Sequence, residues 1–137
     1  MLRSIDKRNC GMGSGFKQLI VWQRALDLAV TLKHLTADKR FAEDADLRRQ
    51  IRRAAVSIFS NIAEGMERDT DADGARMLYI AKGSAAEIES QLIYASRVGY
   101  LESAEISPLG RELIEIRSML SSLIKKLRAE QSAKKPS

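Results

Sequence analysis

Residues 47–65 read LRRQIRRAAVSIFSNIAEG, and their spacing decides the fold. Leu47, Ile51, Ala54, Ile58 and Ile62 recur at steps of three and four, which places them on one face of an α-helix. A polar stripe of the same period runs beside them: Gln50, Arg53, Ser57, Asn61 and Glu64. On the far side lie Arg49, Arg52, Val56 and Phe59. A helix between one core and water would carry solvating residues there rather than Val56 and Phe59. The spacing predicts a helix that meets a core, a polar seam and a further surface.

Around this stretch, three more helices are expected. The first covers about 21–36, where Trp22, Ala25, Leu26, Ala29, Leu32 and Leu35 share a face and Trp22 anchors packing, with Phe16 or Leu19 tucked under the bundle. Asp44 or Glu43 can cap the helix that carries this stretch and runs to about Glu64, with Asp46 in its first turn where the dipole favours an anion. Gly65 is expected to end it in the left-handed conformation. Thr70 or Asp71 can cap a third helix over about 73–98, with Met77, Ile80, Ala81, Ser84, Ile88, Gln91, Leu92 and Ala95 on one face. Gly83-Ser84 in its middle offers small residues for a close neighbour, and Gly99-Tyr100 ends it. Ser107-Pro108 is expected to open the fourth helix, where Leu109, Leu113, Ile116, Leu120, Leu123 and Leu127 form a heptad seam. Four such helices joined by loops of about six to eleven residues predict an all-α, up-down-up-down antiparallel bundle over 16–128. Residues 1–15 read as a flexible arm and 129–137 as a disordered basic tail.

Composition agrees. The 137 residues suit one domain, 45% are hydrophobic and only 5% aromatic, and helix formers dominate. The single cysteine, Cys10, excludes an internal disulfide and suits a reducing cytoplasm. No apolar run reaches membrane-spanning length, and MLRSIDKRNC has no apolar leader region.

Catalytic patterns are missing. His34 is the sole histidine, so no pair of Glu-x-x-His motifs can build a bundle di-metal site. There is no cysteine pair for zinc, no Ser/His/Asp set and no Gly-rich phosphate loop after a strand. No enzyme, metal or cofactor is expected.

The net charge of +5 mildly favours a polyanionic partner. Arg48, Arg49, Arg52 and Arg53 form the densest basic cluster, and Lys125, Lys126, Arg128, Lys134 and Lys135 a second. Asp44 and Asp46 stand at favourable helical spacing from Arg48 and Arg49, which is worth about 0.2–0.5 kcal/mol per pair. The expected phosphate contacts are Arg49, Arg52, Lys125 and Lys126, with Arg48 and Arg128 beside them. Binding is then set by charge and shape, without an aromatic platform for bases. Arg53, Ser57, Asn61, Glu64 and Glu87 are expected to form a structural polar seam, with Arg53 and Glu87 as a buried pair. Val56, Phe59 and Ile93 are expected at contacts between subunits.

Ile51-Arg52-Arg53-Ala54-Ala55-Val56-Ser57-Ile58, followed by Ser60-Asn61-Ile62-Ala63-Glu64-Gly65, resembles the four-helix-bundle family encoded by intervening sequences of bacterial large-subunit (23S) ribosomal RNA genes. That family is related to the accessory variability protein of diversity-generating retroelements. Leu19-x-Val21-Trp22-Gln23, Ile80-Ala81-Lys82-Gly83-Ser84-x-x-Glu87-x-Glu89, Gly99-Tyr100-Leu101 and Arg68 match it as well, and the resemblance covers about 16–127. Phe59 departs from a common proline and Ala42 from the end of a usual Phe-Pro pair, which makes the helix that runs to about Glu64 straighter and its outer face more apolar. The resemblance implies a ring-shaped homo-oligomer, commonly a pentamer. It also implies a non-catalytic role: binding RNA or DNA, or serving as adaptor or scaffold to a partner protein such as a reverse transcriptase.

Overall fold

The computed structural model describes residues 15–134. The expected arm falls outside them except for Gly15, and so do 135–137. A short 3-10 turn, Gly15–Gln18, leads into α1 (Ile20–Thr36). A second one, Lys39–Phe41, sits in the connection to α2 (Ala45–Glu67). Then follow α3 (Asp71–Arg97) and α4 (Ser103–Lys134), and no strand occurs among the described residues. Consecutive helices pack on one another and α1 closes against α4, giving a four-helix bundle.

Each helix start has a local cause. The Asp44 carboxylate accepts the Leu47 N–H at 3.1 Å, and the Thr70 hydroxyl accepts the Asp73 N–H at 3.1 Å. α4 begins at Ser103, four residues before the expected start, because Glu105 reaches back to accept the Glu102 N–H at 2.9 Å as in a capping box. Pro108 therefore lies inside α4; it is exposed, as is Ala104, whose carbonyl the proline cannot serve. α3 ends as expected at Gly99, with φ +90°. Tyr100 N–H donates to Ala95 O at 2.9 Å and Gly99 N–H to Ser96 O at 3.1 Å, the Schellman arrangement.

Gly65 is not a terminator. α2 runs on to Glu67 and Gly65 is buried inside it. A Cβ there would lie 3.0 Å from Gly74 O and 3.1 Å from Met77 Cβ of α3, so the glycine permits the close approach of α2 to α3. Gly83, where close approach was expected, is exposed and faces open space. The connections are shorter than expected: three residues between α2 and α3, and five between α3 and α4. α4 also continues through 129–134, which the sequence had suggested as disordered tail. Lys134 Nζ donates to Asp71 at 3.1 Å, tying the end of α4 to the start of α3.

The core holds the α2 stripe Leu47, Ile51, Ala54, Ile58 and Ile62, and the α4 seam from Leu113 through Leu127. Leu109 is only half-buried, since it precedes the full contact. On α1 the buried line is Val21, Ala25, Leu28, Leu32 and Thr36, so the expected face is turned and Trp22 packs at its edge, 5.1 Å from Phe16. On α3, Leu78 and Ala85 are buried, whereas Ile80 is exposed. Ion pairs lace the rim: Arg24 with Glu112 and Glu115, Arg40 with Glu105, and Arg117 with Glu89.

Candidate nucleic-acid interface

The two basic clusters meet different surroundings. Near the start of α2, Arg48 Nε donates to Thr36 O at 2.8 Å. Arg52 donates from Nε to Thr36 Oγ1 at 2.9 Å and from Nη2 to Lys33 O at 2.9 Å. Both guanidinium groups thus donate to carbonyls in the last turn of α1, which lack a backbone N–H partner within their own helix. Arg48 and Arg52 are half-buried structural caps, and their expected freedom for phosphate is correspondingly small. Arg49 is open to solvent and holds Asp46 at 3.2 Å, a weak exposed pair. Asp44 and Asp46 lie beside these arginines, so this end of the bundle carries mixed charge.

The second cluster is cleaner. Lys125 and Arg128 on α4 line an open pocket with Tyr79 and Lys82 of α3, and none of its lining residues is a carboxylate. The Arg128 guanidinium stands 5.0 Å from the centre of the Tyr79 ring. Lys126 is half-buried and is not among the lining residues. Nothing in the sequence marks Tyr79 as a contact residue, and Lys82 stands out only as one position of the Ile80–Ser84 match. Only the register of α3 against α4 places them beside Lys125 and Arg128. An exposed aromatic ring therefore accompanies the cations, where none was expected.

The two clusters lie at opposite ends of the bundle. Arg40 and Glu105 fasten the end that holds Arg48 and Arg52. Lys125 follows Glu105 by twenty residues along α4, about 30 Å of helix. One chain cannot present both clusters to a single phosphate.

The polar seam is also redrawn. Ser57 and Ser84 hydroxyls meet at 2.8 Å between α2 and α3, and Asn61 Nδ2 donates to Ser57 O at 2.8 Å and to Ser57 Oγ at 3.0 Å. Glu64 pairs with Arg68 at the end of α2. Arg53 and Glu87 are both exposed and no ion pair joins them; Glu87 accepts from Gln91 at 3.2 Å. The expected buried pair fails because both side chains lie on exposed faces of their helices, while the small residues Ser57 and Ser84 occupy the α2–α3 contact.

Of the residues expected at subunit contacts, Val56 and Ile93 are about half exposed, at 49% and 48%. Phe59 is half-buried and lines a shallow apolar groove with Phe16 and Trp22. Ile93 borders another groove, of about 350 Å³, with Ile106 and Ile114. Among the described residues no cluster of histidine, cysteine or carboxylates could hold a metal ion. No helix among them is long and apolar enough to cross a membrane.

Known proteins place the chain. A solved structure from Bacteroides thetaiotaomicron VPI-5482, described as a protein with unknown function from the S23 ribosomal protein family, superposes with a TM-score of 0.70 at 28% identity. The match covers 77% of this chain and 99% of the other. No curated protein gives a significant match. The family model described as 23S rRNA-intervening sequence protein matches residues 17–122. A bundle of this topology, matched over most of its length, belongs to the family of 23S rRNA-intervening sequence proteins.

Proposed function

We propose that the protein is a non-catalytic, cytoplasmic homo-oligomer, a ring such as a pentamer, that binds RNA or DNA through backbone phosphates. The observation that carries this reading is the uncompensated positive pocket of Lys82, Lys125 and Arg128 on the α3–α4 face. The family name, which refers to an intervening sequence of 23S rRNA, favours RNA. Exposed Val56 on α2 and the Ile93–Ile114 groove between α3 and α4 lie on different faces. Contacts between unlike faces generate a ring when the rotation closes. A ring repeats the +5 of each chain around its axis and so builds a positive field.

The test is a charge reversal, Arg49→Glu with Lys125→Glu and Lys126→Glu, checked first for helicity and particle mass. It should release RNA at low salt. If the variant holds RNA as tightly as wild type, or wild type holds none, the nucleic-acid reading fails. The exposed apolar residues then favour an adaptor or scaffold for a protein partner, such as a retroelement reverse transcriptase.

A further inference from the structure

Tyr79 and Lys82 stand three residues apart on α3, and Ser121, Lys125 and Arg128 stand at steps of four and three on α4. The two stripes face one another across an open pocket of about 190 Å³, with nearly buried Ile124 as its floor. Among the described residues no ion pair joins Lys82, Lys125 or Arg128 to a carboxylate, whereas Arg24, Arg40 and Arg117 each hold one across the bundle. Three like charges around one concavity repel one another, and an anion placed between them removes that repulsion. The Tyr79 ring orients the Arg128 guanidinium, which leaves its planar fork of donors for oxygen atoms. Ser121 adds a hydroxyl to the same wall. Cations and a hydroxyl arriving from two helices suit a tetrahedral phosphate. Tyr79 keeps 42% of its surface exposed beside them, which offers π-surface to an adjacent base.

We propose that this pocket is a phosphate subsite for a single strand of RNA, with Tyr79 packing against a base next to the bound phosphodiester. The inference rests on the nucleic-acid reading above and gives it a strand preference. Bases in a duplex are stacked on each other and paired, so Tyr79 reaches them only in an unpaired strand.

The experiment is fluorescence anisotropy at low salt on the full chain, with a labelled 12-nucleotide single-stranded RNA and the same sequence as a duplex. Wild type should prefer the single strand. Lys82→Gln and Arg128→Gln should each weaken it by about three- to tenfold. Tyr79→Leu should weaken the single strand by about fivefold or more while changing the duplex by less than about twofold. Tyr79→Phe keeps the ring and should bind as wild type, which separates loss of stacking from loss of folding. Lys39→Gln, an exposed cation outside the pocket, should have little effect. Equal binding of single strand and duplex by wild type overturns the subsite, as does unchanged binding by Tyr79→Leu and Lys82→Gln; in either case general nucleic-acid binding stands. Displacement of the strand by adenosine monophosphate at equal concentration also overturns it, because the pocket would then be a mononucleotide site. Absence of binding to either RNA overturns the subsite and the wider reading together.

Discussion

The hydroxyls of Ser57 on α2 and Ser84 on α3 meet at 2.8 Å, and Asn61 donates to the same Ser57 oxygen at 3.0 Å. Ser84 is nearly buried, at 7% exposure. Removing Ser57 leaves the nearly buried Ser84 hydroxyl without this partner, which costs about 1–3 kcal/mol, whereas removing Ser84 leaves Ser57 still accepting from Asn61. Ser57→Ala should therefore lower the urea midpoint clearly and more than Ser84→Ala does, and the two changes together should cost less than the sum of the single ones. Arg53→Ala, at an exposed site, should change stability by less than about 0.5 kcal/mol. Additive serine effects would remove the pair from the account.

Two glycines should respond in opposite directions. Gly65→Ala drives a methyl to 3.0 Å from the Gly74 carbonyl oxygen, which is backbone and cannot turn aside. Its overpacking should cost about 1–3 kcal/mol, more than alanine's helix propensity returns. Gly83→Ala meets nothing within 4 Å and should stabilise by about 0.5–1 kcal/mol. Thermal midpoints decide it: a rise for both would mean that α2 and α3 are not held at this distance.

These residues also show where the sequence was legible. The apolar stripe of α2 and the heptad of α4 were plain, because a period needs no partner to be seen. The role of Gly65 was not, since a glycine that ends a helix and one that lets another helix approach look alike until the neighbour is placed. Arg48 and Arg52 read as free charge for the same reason: the α1 carbonyls they cap lie twelve to nineteen residues away. The Tyr79 pocket needed the register of two helices.

Acid should loosen the end of the bundle that Glu105 fastens. Hydrogen bonds from Arg40, then from the Glu102 N–H, hold its carboxyl down to about 2, against an ordinary 4.5. The folded state thus binds fewer protons than the unfolded chain through that interval. Stability from Glu105 is complete above about pH 4.5 and is lost as pH falls towards 2. Urea midpoints followed from about pH 6 to about pH 2.5 should fall for wild type and fall less for Glu105→Gln. Parallel curves would place the acid sensitivity elsewhere.

Assembly is best probed at residues that the single chain does not need. Phe59 packs partly against the core, so its replacement mixes two effects. Val56 and Ile93 are about half exposed. Val56→Asp and Ile93→Asp should each lower the particle mass in light scattering while leaving helicity unchanged. A wild-type monomer at micromolar concentration would refute the ring.

The central claim is that phosphate contacts hold RNA on this protein, and the salt dependence of its affinity tests it most directly. With three phosphates neutralised on a single strand, log K should fall against log salt with a slope of about −2, and more steeply if several subunits engage one strand. That slope should become shallower in Lys82→Gln and Arg128→Gln. Affinity that stays flat as salt rises, or no RNA binding even at low salt, would contradict the account.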